Sequence, residues 1–269
     1  MEILQKFCLN LSLVLLFLSC NKDNKEASLK SMQFSRFHYQ GTKTNLNALA
    51  RAIELDSTNE NAWREFSIPF LKRGLPHKWK PAMDKSVDLN PTKMIGYRGY
   101  NYLWFYRDYK RAISDFDRTD ILTPNFTEAP QGLSVDCWRG IAYLGLKDYK
   151  NSILYFDKYI NKEIEDFSEK SVDITAFLYK GIAYYESNNL EKSEVSFKRL
   201  IKNNYGFSAD GKYYLALIYK QQEKNEAALK MIDDAIKDFN SGYFNKRPYV
   251  ETLRQVYLED LQELKKSLK

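Results

Sequence analysis

The chain has 269 residues, of which 44% are hydrophobic and 28% are charged, a balance typical of folded globular proteins and not of disordered chains. Lysine and arginine outnumber aspartate and glutamate by 41 to 35, a formal net charge of +6, and the charges are interspersed without a long basic block. This diffuse basicity argues against a nucleic-acid partner, and three cysteines are too few for a disulfide-stabilised scaffold.

The first predicted element is an export signal at residues 1–19. Lys6 precedes an apolar run from Phe7 to Leu18, which is shorter than the roughly 20 residues of a membrane span and has the length of a signal-peptide core. The run ends in Leu-Ser-Cys at 18–20 and turns polar at once. This boundary resembles the lipobox of bacterial lipoproteins, which implies cleavage before Cys20 and its modification by lipid such as palmitate. The alternatives are an ordinary secretory signal cleaved elsewhere and an uncleaved anchor.

Residues 20–30 are polar and are predicted to form a tether between the lipid and the folded chain. Lys22 and Asp23 resemble the surface-export signals of Bacteroidetes lipoproteins. The predicted location is therefore the bacterial cell envelope, lipid-anchored, at the periplasmic or surface face of the outer membrane. With Cys20 modified and the upstream cysteine removed with the signal, Cys137 remains alone, so no disulfide can form within one mature chain.

A repeated pattern of small and bulky residues fills most of the remaining sequence, residues 31–247. A glycine or alanine followed three residues later by tyrosine recurs at positions 99, 140, 181 and 216. A second small residue follows each copy after a near-constant interval, with a bulky apolar residue one turn later; these pairs are Ala112 and Phe116, Ser152 and Phe156, Ser193 and Phe197, and Ala228 and Ile232. Small residues let two antiparallel helices approach closely, and the bulky residue fills the gap that remains. The pattern predicts stacked helix pairs.

This pattern resembles the tetratricopeptide repeat (TPR), a helix–turn–helix of about 34 residues. An upstream copy carries further landmarks of the family at Trp63, Ser67, Gly74, Ser86 and Pro91. The resemblance implies an all-α fold, a right-handed helical solenoid of about six TPR-like helix pairs. It also implies a surface for protein–protein contact.

After the repeats, Gly242 is predicted to stop a helix and Pro248 to open a new one. Apolar residues from Val250 to Leu268 form one stripe on an otherwise polar sequence. A stacked array exposes an apolar face at its end unless a further helix covers it. The sequence therefore predicts a C-terminal capping helix over 248–269, with a membrane or partner helix as the alternative.

No constellation of catalytic or metal-binding residues is found in the sequence. His38 and His77 stand in different repeats, without a second histidine or cysteine at metal-ligand spacing. The sequence also has no glycine-rich phosphate loop and no serine nucleophile elbow. The paired carboxylates Asp115 with Asp117 and Asp233 with Asp234 are interpreted as solvated faces of second helices. The chain is predicted not to be an enzyme and to bind no metal or cofactor.

The first helices of TPR arrays line a concave groove, and the register of the repeats assigns residues to it. Most of the assigned residues are apolar, and a solvated face would be polar, so we expect the groove to be filled. The predicted groove residues are Arg64, Ile68, Leu71, Tyr100, Leu103, Trp104, Cys137, Ile141, Leu144, Leu178, Ile182, Tyr185, Tyr213 and Leu217. The filling is a partner protein or peptide, or else tight packing of the helices, or the chain's own N-terminal segment or inserts.

The predicted function is that of a membrane-tethered, non-catalytic TPR scaffold for protein–protein interaction. The alternative is a glycan- or peptide-binding lipoprotein of an uptake system, which would use the aromatic residues Tyr97, Tyr100, Trp104 and Tyr106.

Overall fold

The computed structural model describes residues 23–124 and 126–268. Apart from an isolated β-bridge between Arg247 and Val250, these residues form helices, turns and loops. The predicted all-α fold of consecutive helix pairs is confirmed. The chain divides into two compact units between Met94 and Ile95.

The first unit contains two helix pairs. Its helices are α1 (23–35), α2 (Lys43–Leu55), α3 (Glu60–Lys72) and α4 (Pro76–Leu89). Met32, Leu49, Ala52 and Ala62 form a buried apolar cluster that joins α1, α2 and α3. Within the second pair, the Ser86 hydroxyl of α4 donates a hydrogen bond to the carbonyl of Glu60 at 2.7 Å.

The predicted polar tether at 20–30 is wrong from residue 23 onward, because the chain is helical there. Residues 20–22 lie outside the described residues. Ser28 is fully buried, and its hydroxyl donates to the carbonyl of Ala52 at 2.8 Å. A short hydroxyl side chain can bury its donor by bonding a neighbouring backbone carbonyl. This segment is therefore a packed helix although its composition is polar.

The second unit contains four helix pairs and a last single helix. The helices are α5 (Pro91–Asn101, whose first turn lies before the division), α6 (Tyr109–Leu122), α7 (Val135–Gly145), α8 (Tyr149–Asp166), α9 (Ile174–Glu186), α10 (Leu190–Asn203), α11 (Ala209–Gln221), α12 (Asn225–Asn240) and α13 (Leu258–Ser267). One π-helical turn, Tyr102–Tyr106, extends α5. The loops after α6 and α8 contain the short 3₁₀ turns Pro130–Gly132 and Glu169–Ser171. Neighbouring pairs contact one another in chain order, and the first helices α7, α9 and α11 pack in sequence.

Close helix packing rests on contacts between glycine and phenylalanine, as the spacing predicts. The three pairs are Gly99 with Phe116, Gly140 with Phe156, and Gly181 with Phe197. A methyl group added at Gly181 would lie 2.6 Å from the Phe197 ring, well inside van der Waals contact. The Ser193 hydroxyl also donates to the Gly181 carbonyl at 2.9 Å, and Ser152 makes the equivalent bond to Gly140 at 2.8 Å.

The predicted C-terminal helix begins ten residues later than expected, at Leu258 instead of Pro248. Pro248 occupies the second position of a tight turn from Arg247 to Val250, and Tyr249 at the third position has φ 70°. The fixed φ of proline suits this turn position as well as the first position of a helix. The prediction that Pro248 opens a helix is therefore wrong, because the proline is part of a tight turn instead.

The last helix, α13, contacts α12. Leu261 is fully buried and Leu264 is 6% exposed. Lys265 forms an ion pair with Asp233 of α12 at 2.6 Å. The apolar residues of α13 therefore pack against the last helix pair, and the capping role of this helix stays a prediction.

The predicted signal at 1–19 and the predicted lipidation site Cys20 lie outside the described residues. Among the residues that the structure does describe, no helix has both the length and the apolar character of a membrane span.

Candidate functional site

The first helices of the second unit carry most of the predicted groove residues, and most of these are buried. Leu103, Trp104, Cys137, Ile141, Leu144, Leu178 and Ile182 are at most 5% exposed. Tyr100, Tyr185, Tyr213 and Leu217 are half-buried. In the first unit, Leu71 is buried whereas Arg64 and Ile68 are half-buried. We call the face that α5, α7, α9 and α11 present to the C-terminal segment the inner face.

The C-terminal segment, residues 243–257, lies on the inner face and enters it at α11 and α9. The backbone N–H of Ala209 donates to the Tyr243 carbonyl at 2.9 Å. The backbone N–H of Asn245 donates to a carboxylate oxygen of Asp210 at 2.7 Å, and its side-chain amide donates to the Tyr179 hydroxyl at 3.0 Å. Both acceptor side chains are buried. One short residue thus ties the segment to two helices.

Arg247 then inserts its guanidinium among three aromatic rings of α5, its π-helical turn and α7. The guanidinium carbon lies 4.4 Å from the ring centroid of Trp104 and 4.6 Å from that of Trp138. Its Nη1 donates to the Tyr100 hydroxyl at 3.2 Å. The indoles of Trp104 and Trp138 stand perpendicular, with centroids 6.0 Å apart. We call Tyr100, Trp104 and Trp138 the aromatic cage.

The π-helical turn changes the direction in which the Trp104 side chain leaves the helix. A π turn adds a residue to the helical repeat, so the side chains that follow are rotated relative to a regular α-helix. Trp104 lies in this turn and is 2% exposed, in contact with Trp138 and Tyr179. The Trp138 indole donates to the Pro130 carbonyl at 2.9 Å, whereas the buried Trp104 Nε1 has no acceptor among the described residues.

After its turn, the segment is fixed a second time. Arg254 makes a bidentate ion pair with Glu186 at the end of α9, at 2.5 and 2.9 Å. Arg107, just after the π-helical turn, donates to the Glu251 carbonyl at 2.9 Å. Leu253 and Val256 are 4% and 3% exposed. The segment is therefore held at both ends, with Arg247 between them.

In the structure a segment of the chain itself lies on the inner face. The sequence pointed to the N-terminal segment or the inserts as candidate internal occupants, whereas the structure places the C-terminal segment there. Arg247, Asn245 and Arg254 were not recognised as site residues. The one signal for them was the tight-turn sequence Arg-Pro-Tyr-Val at 247–250 between the array and the cap.

The titratable groups around the repeats form ion pairs. Asp115, predicted to be solvated, is 6% exposed and accepts two hydrogen bonds from Arg98 at 2.8 and 2.7 Å. Burial raises the pKa of Asp117, which the nearby Arg139 partly offsets. Burial also raises the pKa of the Cys137 thiol well above its usual value, which favours the unreactive thiol form. Among the described residues no group of side chains could hold a metal ion.

The aromatic residues of the glycan alternative do not form an open platform. Tyr97 stacks on Tyr100 with ring centroids 6.5 Å apart. Tyr100 and Trp104 already contact Arg247. Tyr106 is half-buried, and burial raises its pKa to about 12. Two of these four rings, Tyr100 and Trp104, therefore already contact a cation of the chain itself.

Comparison with known proteins gives no match to any protein-family model and none to a curated protein sequence. Solved structures do resemble the chain. PilW, a type IV pilus biogenesis factor, is similar with TM-score 0.65 and 15% identity over 88% of this chain and 97% of PilW. PilF of Pseudomonas aeruginosa gives TM-score 0.60 and 14% identity over 82% of this chain and 99% of PilF.

A third similar structure is YrrB, described as a TPR protein with an unusual peptide-binding site. It gives TM-score 0.52 and 20% identity over 71% of this chain and 92% of YrrB. At these identities the likeness concerns the fold. The predicted resemblance to TPR proteins is confirmed at that level.

Proposed function

We propose that this chain of TPR fold is a non-catalytic scaffold that binds a protein or peptide on its inner face. One observation carries the proposal: the inner face already holds a non-helical segment through backbone and side-chain bonds. The Asn245 backbone bond to Asp210 and the Arg254 pair with Glu186 are the kinds of contact that a groove makes with an extended peptide. The description of YrrB as peptide-binding supports the same use of the fold.

The second part of the proposal is a lipid tether. It rests on the sequence at 18–20, where an apolar run of signal-peptide length ends in Leu-Ser-Cys. Lipid on Cys20 would hold the array at the outer membrane of a bacterial cell envelope. Similarity to the pilus biogenesis factor PilW supports an envelope setting. A single acyl chain binds membranes only marginally, whereas several chains together anchor a protein stably.

Site-specific photo-crosslinking in the native envelope tests the scaffold. A photoreactive phenylalanine analogue replaces Tyr213, which is half-buried on the inner face. The matched control replaces Tyr205, which is 91% exposed in the turn before α11. We expect a discrete protein adduct at Tyr213 and none at Tyr205. An equal pattern at both positions, or no adduct at Tyr213, would contradict the scaffold.

Metabolic labelling with an alkyne analogue of palmitate tests the tether. We expect the label on the parent chain, its loss in Cys20→Ala and its retention in Cys137→Ser, because Cys137 is buried. Retention of the label in Cys20→Ala would exclude lipidation at this position.

A further inference from the structure

The tip of the C-terminal segment is a tight turn that presents one side chain to the inner face. Arg247 and Val250 pair across the turn. Pro248 and Tyr249 at its tip are exposed, as is the preceding Lys246. Tyr249 holds a positive φ of 70°, a region that side chains other than glycine rarely adopt. From this turn Arg247 places its guanidinium against the rings of Trp104 and Trp138.

The turn lies between two stretches of the segment that are bonded to the inner face. On one side Asn245 is fixed to Asp210 and Tyr179. On the other side Arg254 is fixed to Glu186, and α13 follows. Thr252, which is 2% exposed, is also hydrogen-bonded to the Tyr179 side chain. Between Asn245 and Thr252, Arg247 donates to Tyr100 and Arg107 donates to the Glu251 carbonyl. A competitor that displaces this turn has to replace the contacts of Arg247 with the cage and the bond from Arg107 to the Glu251 carbonyl.

The cage matches a guanidinium more closely than an ammonium group. A guanidinium is planar, weakly hydrated and stacks on aromatic faces, whereas an ammonium is a compact, strongly hydrated charge. The ring centroids of Trp104 and Trp138 lie within 4.6 Å of the guanidinium carbon of Arg247. Tyr100 supplies a hydroxyl that accepts a hydrogen bond from the guanidinium. These three groups recognise the shape, the charge and the donors of an arginine side chain.

The internal occupant leaves one donor of the cage unsatisfied. Trp104 Nε1 is buried without an acceptor among the described residues, and an unsatisfied buried donor is costly. Arg247 cannot correct this, because a guanidinium offers donors and no acceptor. A segment that brings both an arginine and a nearby carbonyl oxygen would satisfy the cage better than the chain's own turn does.

We propose that the aromatic cage is a receptor for an arginine side chain of a partner protein, and that Arg247 occupies it as a displaceable internal competitor. This inference rests on the proposed scaffold function and names the chemistry that the partner presents. The partner segment carries an arginine on an extended or turned stretch, enters the cage as the turn at 246–251 withdraws, and leaves the two anchors in place.

Indole NMR of the full chain tests the proposal directly. The chain contains four tryptophans, so selective ¹⁵N-tryptophan labelling gives four indole signals. Trp104 and Trp138 report on the cage, while Trp63 and Trp79, in the first unit, serve as internal controls. The probe is the capped hexapeptide Asn-Lys-Arg-Pro-Tyr-Val, the sequence of residues 245–250. The protein is the Arg247→Ala chain, compared with the parent and with an Arg111→Ala control at an exposed position of α6.

We expect the hexapeptide to shift the Trp104 and Trp138 signals of Arg247→Ala. The peptide concentration that gives half of the full shift should be at least about tenfold lower than in the parent or in Arg111→Ala, because the internal competitor is gone. Replacing the arginine of the peptide by alanine should abolish the shifts, and lysine should weaken binding by about tenfold. Trp63 and Trp79 should not respond. If Arg247→Ala loses its helical circular dichroism, Arg247→Gln, which keeps a donor for Tyr100, takes its place.

Three results would overturn the proposal: no response of the cage tryptophans in Arg247→Ala or Arg247→Gln, equal binding of the alanine peptide, or a dimer of Arg247→Ala by light scattering in which a second copy fills the cage. The crosslinking experiment at Tyr213 distinguishes failure of the arginine-receptor proposal from failure of the scaffold proposal. An adduct at Tyr213 without peptide binding leaves the scaffold standing and removes the arginine receptor, whereas absence of both removes the two together.

Discussion

Arg139 shows how single residues of the repeats are stabilised by charge. Its side chain is fully buried, and its nitrogens lie 3.1 Å from Asp136, 3.1 Å from Asp117 and 2.9 Å from Asp120. It also donates to the carbonyl of Phe116 at 2.7 Å. A buried guanidinium requires such a set of partners, because an unpaired charge in the interior is very costly.

Replacing Arg139 by methionine should destabilise the protein strongly. The change fills similar volume but leaves Asp136, which is 2% exposed, with only Lys158 as an ion-pair partner. We expect a loss of about 3–5 kcal/mol in the free energy of unfolding, measured by urea denaturation. Arg111→Met is the control, because Arg111 pairs with Asp108 on the surface and should cost under about 1 kcal/mol. Equal losses would show that the buried pairs contribute no more than surface ones.

Asp210 should make stability depend on pH. Burial raises its pKa from 3.8 to about 6, so the folded state binds the proton more tightly than the unfolded state does. Its contribution is therefore fully favourable below about pH 4 and is lost as the pH rises through about 6. Asp210→Asn keeps an acceptor for the Asn245 backbone and carries no charge.

The variant should gain stability relative to the parent by about 2 kcal/mol between pH 4 and pH 7, since each pKa unit corresponds to about 1.4 kcal/mol. Urea denaturation of both chains at the two pH values measures this difference, and the other titrating groups cancel in the comparison. A difference between the chains that stays constant with pH would show that Asp210 titrates normally.

At the scale of helices, each glycine–phenylalanine contact sets the distance within a pair. Gly181→Ala should push α9 away from α10, because the added methyl would lie 2.6 Å from the Phe197 ring. We expect a loss of about 1–3 kcal/mol from overpacking. Gly96→Ala is the matched control in α5, since its nearest neighbours are 3.5 Å away. There the better helix propensity of alanine should stabilise by about 0.5–1 kcal/mol. Thermal denaturation of both variants measures the two changes in stability. If both variants were stabilised, or both destabilised, the packing argument would be contradicted.

These pairs could be predicted from the sequence because both members lie in one repeat. The turn residue Asp148 is equally local, since its side chain accepts from the backbone N–H of Asn151 three residues later. Short intervals between residues constrain which helix faces meet, so a regular spacing carries most of the structural information.

The occupant of the inner face could not be predicted in the same way. Arg247 donates to Tyr100 across 147 residues, and no spacing rule relates residues so far apart. Pro248 fits either a helix start or a turn, and Val250 to Leu268 looked like one stripe although α13 takes up only its last part. The apolar residues of the inner face indicate that something packs against it. Which segment does so depends on the tertiary fold.

At the scale of the whole molecule, a repeat array is stabilised by contacts between neighbouring repeats. A destabilising substitution at one end should therefore lower the local stability most at that end. Leu261→Ala removes a fully buried side chain of α13, which should cost about 2–4 kcal/mol. We expect hydrogen exchange to quicken more in α11 and α12 than in α5 and α6. Gln262→Ala, at an exposed position of α13, should leave exchange unchanged. A uniform increase across the second unit would instead indicate a single cooperative block.

The long separation between Arg247 and Tyr100 has a consequence for the order of folding. The helix pairs close over short intervals, such as the 12 residues between Ser152 and Gly140, and local contacts form faster than distant ones. The bond from Arg247 to Tyr100 closes across 147 residues and should therefore form late. Until it forms, the three rings lack their internal arginine, so a chaperone or a partner protein can reach them first.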